Sequence, residues 1–142
     1  MKLMRVIRAG VIGAALVAAT ACSTVSTPSS GAFSSTDLHV GTGAVAATGS
    51  TITVNYTVWL YDSTKPDGKG LIAETTLGHD PQEYVLGNGT VIAGWEQGIP
   101  GMKVGGLRRL VIPPSLAYGA ERNGMVPPNS TLVFEIELVG LK

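Results

Sequence analysis

The sequence predicts an α+β fold, an antiparallel sheet covered by one short helix, and three observations carry that prediction. Between Thr51 and Leu60 the apolar Ile52, Val54, Tyr56, Val58 and Leu60 alternate with Thr51, Thr53, Asn55 and Thr57, the period of two that a half-buried strand imposes. Near the C-terminus Leu132, Phe134, Ile136 and Leu138 form one face, with Thr131, Glu135 and Glu137 on the other, so a second long strand closes the sheet. Only Ala93–Ile99, bounded by Gly98 and by Pro100-Gly101, offers a helix, and the apolar faces of both strands need that cover.

In chain order, the first element is an export segment. Lys2, Arg5 and Arg8 precede a small-apolar run from Ala9 to Ala19, and Ala19-Thr20-Ala21 then leads into Cys22, the only cysteine. A basic start, a short apolar stretch and an A-x-A triplet are the parts of a signal peptide over residues 1–21. The run is too short for a spanning helix of about 20 residues, and no polar stripe marks it as a buried helix. Cys22 stands where bacterial lipoprotein precursors carry the acylated cysteine. The stretch resembles that lipobox, with Ala19 at the position where Leu is usual, and the resemblance implies a lipid anchor on Cys22. Ordinary cleavage at the same bond, releasing a soluble exported chain, is the alternative.

Removal of residues 1–21 leaves seven basic and ten acidic residues, a formal charge of −3. No basic patch remains for nucleic acid or for an anionic membrane, so any membrane contact is through the lipid alone. The mean hydropathy of +0.28 also traces largely to the export segment. From Ser23 to Thr36 nine of fourteen residues are Ser or Thr; with Cys22 they read as a tether over residues 22–36, able to hold a domain roughly 20 Å from its anchor.

The folded domain is expected over residues 37–142. Shorter strands are expected near Leu38–Val40, Leu71–Thr75, Gln82–Leu86 and Leu107–Ile112, separated by Gly, Pro, Asp and Ser clusters that mark turns. One cysteine excludes a disulfide framework. His39 and His79 lie far apart with no ligand-spaced partners, so no metal site and no cofactor are expected. Gly41-Thr42-Gly43 and Gly87-Asn88-Gly89 lack the strand-to-helix setting of a phosphate cradle and read as turns. For Arg108-Arg109, solvation and pairing with a carboxylate both stay open.

Several stretches, in order, resemble the FKBP-type peptidyl-prolyl cis-trans isomerases: Val54-Asn55-Tyr56-Thr57, Leu86 through Gly98, Gly101-Met102-Lys103-Val104-Gly105-Gly106, Arg108 through Pro114, Leu116-Ala117-Tyr118-Gly119 and Val126 through Phe134. The resemblance covers about residues 37–142. It implies a five- or six-stranded antiparallel sheet wrapped around one short helix, with a pocket between them. It also implies rotation about Xaa-Pro bonds of proline-containing polypeptides, in service of folding, and possession of a pocket for macrolides.

That rotation faces a barrier of about 18–20 kcal/mol, and needs no nucleophile. An apolar, water-poor pocket favours the twisted, less charge-separated amide, in keeping with the lack of Ser-His-Asp or Cys-His sets. The resemblance makes Trp95 the floor under the proline ring, Val91 and Ile92 its walls, the Ile92 N–H a donor to a substrate carbonyl, and Tyr118 a hydroxyl beside the rotating bond. It makes Tyr56, Tyr84 and Phe134 pocket aromatics and sets Met125 and Val126 on an overhanging loop. Each strand aromatic also fits the core alternation.

Departures gather in one region. Where the family usually carries Phe-Asp-Ser-Ser, this sequence has Ala73-Glu74-Thr75-Thr76, which keeps the carboxylate one methylene longer and loses the aromatic wall. Ile72 is the alternative wall if the register slips, and Gln82 stands where a second aromatic is common. The expectation is a shallower, wetter pocket with weaker turnover and weaker macrolide binding. The alternative function is a binding or chaperone module that kept the fold without the catalysis.

Overall fold

The computed structural model describes residues 32–142. The export segment over residues 1–21 and the lipidation site Cys22 lie outside the described residues. Among the described residues no helix is long and apolar enough to cross a membrane.

Six strands and one helix follow in the order β1 (Ser34–His39), β2 (Thr51–Tyr61), β3 (Lys69–Thr75), β4 (Gln82–Val85), α1 (Ala93–Gly98), β5 (Leu107–Ile112) and β6 (Leu132–Leu141). They form one antiparallel sheet in the order β1-β5-β6-β2-β3, with β4 pairing the first half of β2. The alternation did its work on the two long central strands. Ile52, Val54 and Val58 of β2, and Leu132, Phe134, Ile136 and Leu138 of β6, are at most 3% exposed and meet Leu110 and Ile112 of β5 in one core.

Several boundaries differ from the sequence reading by a residue or more. Ser34, Ser35 and Thr36, read as the end of the tether, belong to β1 and pair with Val111, Leu110 and Arg109. A Ser/Thr run carries little apolar signal, yet the edge of β5 supplies its hydrogen-bond partners, and such context outweighs intrinsic strand preference. Leu86 lies beyond β4, fully buried in a turn rather than in a strand. The outer sheet face is also less polar than expected. Val133, on the face of Glu135 and Glu137, is wholly buried between Val111 and Trp59, its neighbours on β5 and β2.

The helix is six residues long and contains two glycines, each costing about 1 kcal/mol against alanine. Packing explains them. A Cβ on Gly94 would stand 2.5 Å from Ile112 Cγ2, and one on Gly98 2.6 Å from both Leu110 methyl groups. Residues four apart share a helix face, as Leu110 and Ile112 share a strand face, so the bare face of α1 lies directly on β5. Arg108 ties down the far end: its guanidinium donates to the Gly98 carbonyl at 2.7 Å and pairs with Asp37 at 2.6 Å. Arg109 points to the opposite face and pairs with Glu135 and Asp67. Both arginines are therefore partnered, which resolves the open choice between solvation and pairing.

Candidate active site

Holding α1 against β5 turns Trp95 towards the concave side of the sheet, where it forms the base of a cavity of about 560 Å³. Trp95 is 4% exposed. Three aromatic rings meet it edge-on: Tyr56 at 5.2 Å, Tyr84 at 5.4 Å and Phe134 at 5.5 Å between centroids, with interplanar angles of 83°, 88° and 81°. This T-shaped packing is favourable for aromatic quadrupoles. It leaves the indole braced on three sides.

Each anticipated site residue lines this one cavity. Tyr56 comes from β2, Glu74 from β3, Tyr84 from β4 and Phe134 from β6; Val91 and Ile92 lead into α1; Tyr118, Met125 and Val126 come from the segment between β5 and β6. Val58, Thr90, Asn123 and Leu132 line it too and were not anticipated. Val58 and Leu132 carried a signal, since they continue the inward faces that hold Tyr56 and Phe134. Thr90 and Asn123 are loop residues placed by turns, and periodicity does not mark them. Asn123 and Val126 exchange backbone hydrogen bonds of 3.0 and 2.8 Å, closing the turn that brings Met125 over the cavity.

Polar groups line the cavity alongside the apolar ones. The Tyr56 hydroxyl donates to Glu74 Oε1 at 2.9 Å. Burial pushes the Tyr56 phenol far above its ordinary range, helped by the neighbouring Tyr84 hydroxyl and the Glu74 carboxylate. Burial likewise raises the Tyr118 phenol, and the charges of Glu74 and Tyr84 act in the same direction. The Tyr56 and Tyr118 phenols therefore stay protonated at neutral pH and can serve as hydrogen-bond donors.

The β3 register explains the departures in the sequence. Glu74 pairs with Val58 and Ile72 with Trp59, so Ala73 is the surplus residue of a β-bulge. The bulge lets consecutive residues Ala73 and Glu74 both line the cavity. Ile72 does not supply the missing wall: it pairs with Trp59 away from the cavity and is 56% exposed. Gln82 is exposed opposite Val54 and also takes no part in the lining. Ala73 therefore stands alone at the position of the lost aromatic.

Comparison with known proteins agrees with this architecture. The family model described as FKBP-type peptidyl-prolyl cis-trans isomerase matches residues 43–139. An FK506-binding protein of Neisseria meningitidis serogroup B is 44% identical over 104 residues, covering 72% of this chain and 90% of the relative. FK506-binding protein 1 of Aspergillus oryzae is 37% identical over 103 residues, covering 70% and 89%. The crystal structure of a peptidyl-prolyl cis-trans isomerase from Pseudomonas syringae pv. tomato superposes with a TM-score of 0.63 at 37% identity, covering 78% of this chain and 75% of that one. With the family pattern spread over most of the described residues and its fold reproduced, the chain belongs to the FKBP-type peptidyl-prolyl cis-trans isomerases, a family of isomerases.

Proposed function

We propose that this chain rotates Xaa-Pro bonds of exported polypeptides in the Trp95 cavity, and that it works from the cell envelope, held there by a lipid on Cys22. The observation that carries the catalytic part is the braced indole at the base of a cavity with aromatic and aliphatic side chains around it. A proline ring laid on Trp95 loses water on one face and is flanked by Tyr56, Phe134 and Val91. In that setting the planar, charge-separated amide loses its solvation advantage over the twisted form.

The chain supplies two groups to hold the flanking carbonyls. Ile92 lines the cavity, and its backbone N–H has no acceptor among the described residues while its carbonyl accepts from Trp95 and Glu96. Tyr118 offers a protonated hydroxyl at the cavity edge. Glu74 orients the Tyr56 hydroxyl by accepting its hydrogen bond. Ala73 leaves one side of the cavity open, which supports slower turnover and weaker macrolide binding than a complete aromatic wall would give. It also favours a chaperone-like contribution to the folding of clients held there.

The test is acceleration of cis-to-trans exchange in Leu-Pro and Phe-Pro peptides. We expect acceleration above background, lost on Trp95→Ala or Tyr118→Ala in variants that keep their circular-dichroism spectrum; a folded wild-type protein without acceleration would defeat the catalytic reading. Should clients bind and resist aggregation while the peptide assay stays silent, the chaperone reading would replace it. For the anchor, Cys22→Ser should move the protein from the membrane to the soluble fraction. An unchanged distribution would rule out lipidation.

A further inference from the structure

Among the side chains that line the cavity, Glu74 alone is a carboxylate, and no lysine or arginine is among them. The β3 bulge at Ala73 brings it there. Its Oε1 accepts the Tyr56 hydroxyl at 2.9 Å, and among the described residues no other hydrogen bond and no ion pair to a cation engages it. Four other carboxylates differ in this respect: Asp37, Asp67, Glu83 and Glu135 each have a lysine or arginine partner. Glu121 and Arg122, just before the Asn123–Val126 turn, have opposite charges and neither lines the cavity. Glu137 of β6 also has no cation partner but does not line the cavity, so Glu74 is the carboxylate that gives the cavity a fixed negative potential where substrate enters.

We propose that Glu74 sets the charge preference of the cavity: it favours Xaa-Pro segments carrying Lys or Arg on a residue next to the proline, and disfavours those carrying Asp or Glu there. The cation would sit against the unengaged side of the carboxylate, with the phenol faces of the cavity adding to its attraction. This rests on the proposed catalytic reading. The carboxylate remains solvent-accessible, so the gain is that of an exposed ion pair, a factor of about 1.4 to 5.

The experiment compares matched peptides that differ only beside the proline: lysine, norleucine as its uncharged equal in length, and glutamate, each placed once before and once after the proline. We expect kcat/KM for lysine to exceed that for norleucine by about 1.4- to fivefold at low salt in at least one position, with glutamate below norleucine. The lysine advantage should shrink towards unity at about 1 M salt, where the screening length falls to about 3 Å. In Glu74→Gln, which keeps an acceptor for Tyr56, the lysine-to-norleucine ratio should fall to one whatever happens to the absolute rates.

Equal rates for lysine and norleucine in both positions would overturn the proposal, as would a ratio that survives Glu74→Gln. Absence of turnover with every peptide would strike the catalytic reading instead. The same peptides would then be titrated for binding, where equal affinities for lysine and norleucine overturn the charge preference and a lysine advantage dependent on Glu74 sustains it.

Discussion

Substituting Gly94 by alanine tests whether the base of the site is held by the bare face of α1. The new Cβ would lie 2.5 Å from Ile112 Cγ2 and 2.6 Å from its Cδ1. Carbon atoms are comfortable at about 3.5–4.0 Å, so helix or side chain must yield by about 1 Å. Ile112 is wholly buried and has no free direction. Overpacking of this kind costs about 1–3 kcal/mol, and the better helix propensity of alanine returns about 1 kcal/mol. The expected result is a net destabilisation of about 1 kcal/mol in urea unfolding. Because Trp95 is the next residue, the same displacement tilts the indole, and a misplacement of about 1 Å in a site can cost up to about a hundredfold. Proline-peptide kcat/KM should therefore fall about tenfold or more, out of proportion to the stability loss. Ile112→Ala alone should cost about 2–5 kcal/mol, and Gly94→Ala added to it should cost nothing further, giving a coupling of about 1 kcal/mol. A Gly94→Ala protein that is more stable by the propensity gain and fully active would refute the close-packing argument.

Other predictions follow from the same contacts. Ala73→Phe adds a ring at the open side of the cavity; if it buries about 60 Å² against substrate at about 25 cal/mol per Å², KM should fall by about tenfold, and an unchanged KM would show that the bulge does not aim this side chain inwards. Glu135 is partly buried, which on its own would raise its carboxyl, but hydrogen bonds and ion pairs from Lys69 and Arg109 bring it below the usual carboxylate range. A lowered folded value means that its stabilisation is present above the ordinary carboxylate range, near pH 4.3, and is lost as pH falls through the folded value. Glu135→Gln should thus cost about 1 kcal/mol at neutral pH and flatten the decline in melting temperature below about pH 4.5; an identical acid profile in the variant would refute the pairing. Arg108→Met removes the donor to the Gly98 and Pro100 carbonyls and the partner of Asp37, and should cost about 1–3 kcal/mol, read by thermal unfolding.

The candidate site was legible in the sequence to the extent that its residues fall on the periodic strands or in the family's stretches. Tyr56 and Phe134 declared themselves by alternation, as did the core partners Ile52, Val54, Ile136 and Leu138. Trp95, Val91, Ile92 and Tyr118 were read through the resemblance, since a tryptophan in the first turn of a short helix carries no chemistry by itself. Thr90 and Asn123 escaped because a turn sets a residue's direction through backbone angles, which leave no repeat in the sequence. The strand over Ser34–Thr36 escaped for another reason: its apolar content is too low to announce burial, and only the waiting hydrogen-bond edge of β5 makes it a strand.

By itself the sequence determined the α+β class, the two long central strands, the single helix, the family and the loss of an aromatic at Ala73. These are local properties, written in the period of the side chains or in the identity of short stretches. The tertiary structure alone decided that Ala73 is the extra residue of a bulge, that Ile72 is turned away to Trp59, that Gly94 and Gly98 let α1 rest on β5, and that Glu74 stands in the cavity without a cation. Each of these depends on the register of one segment against another. Register is set where distant residues compete for the same space and the same hydrogen bonds, and that competition exists only once the chain has folded.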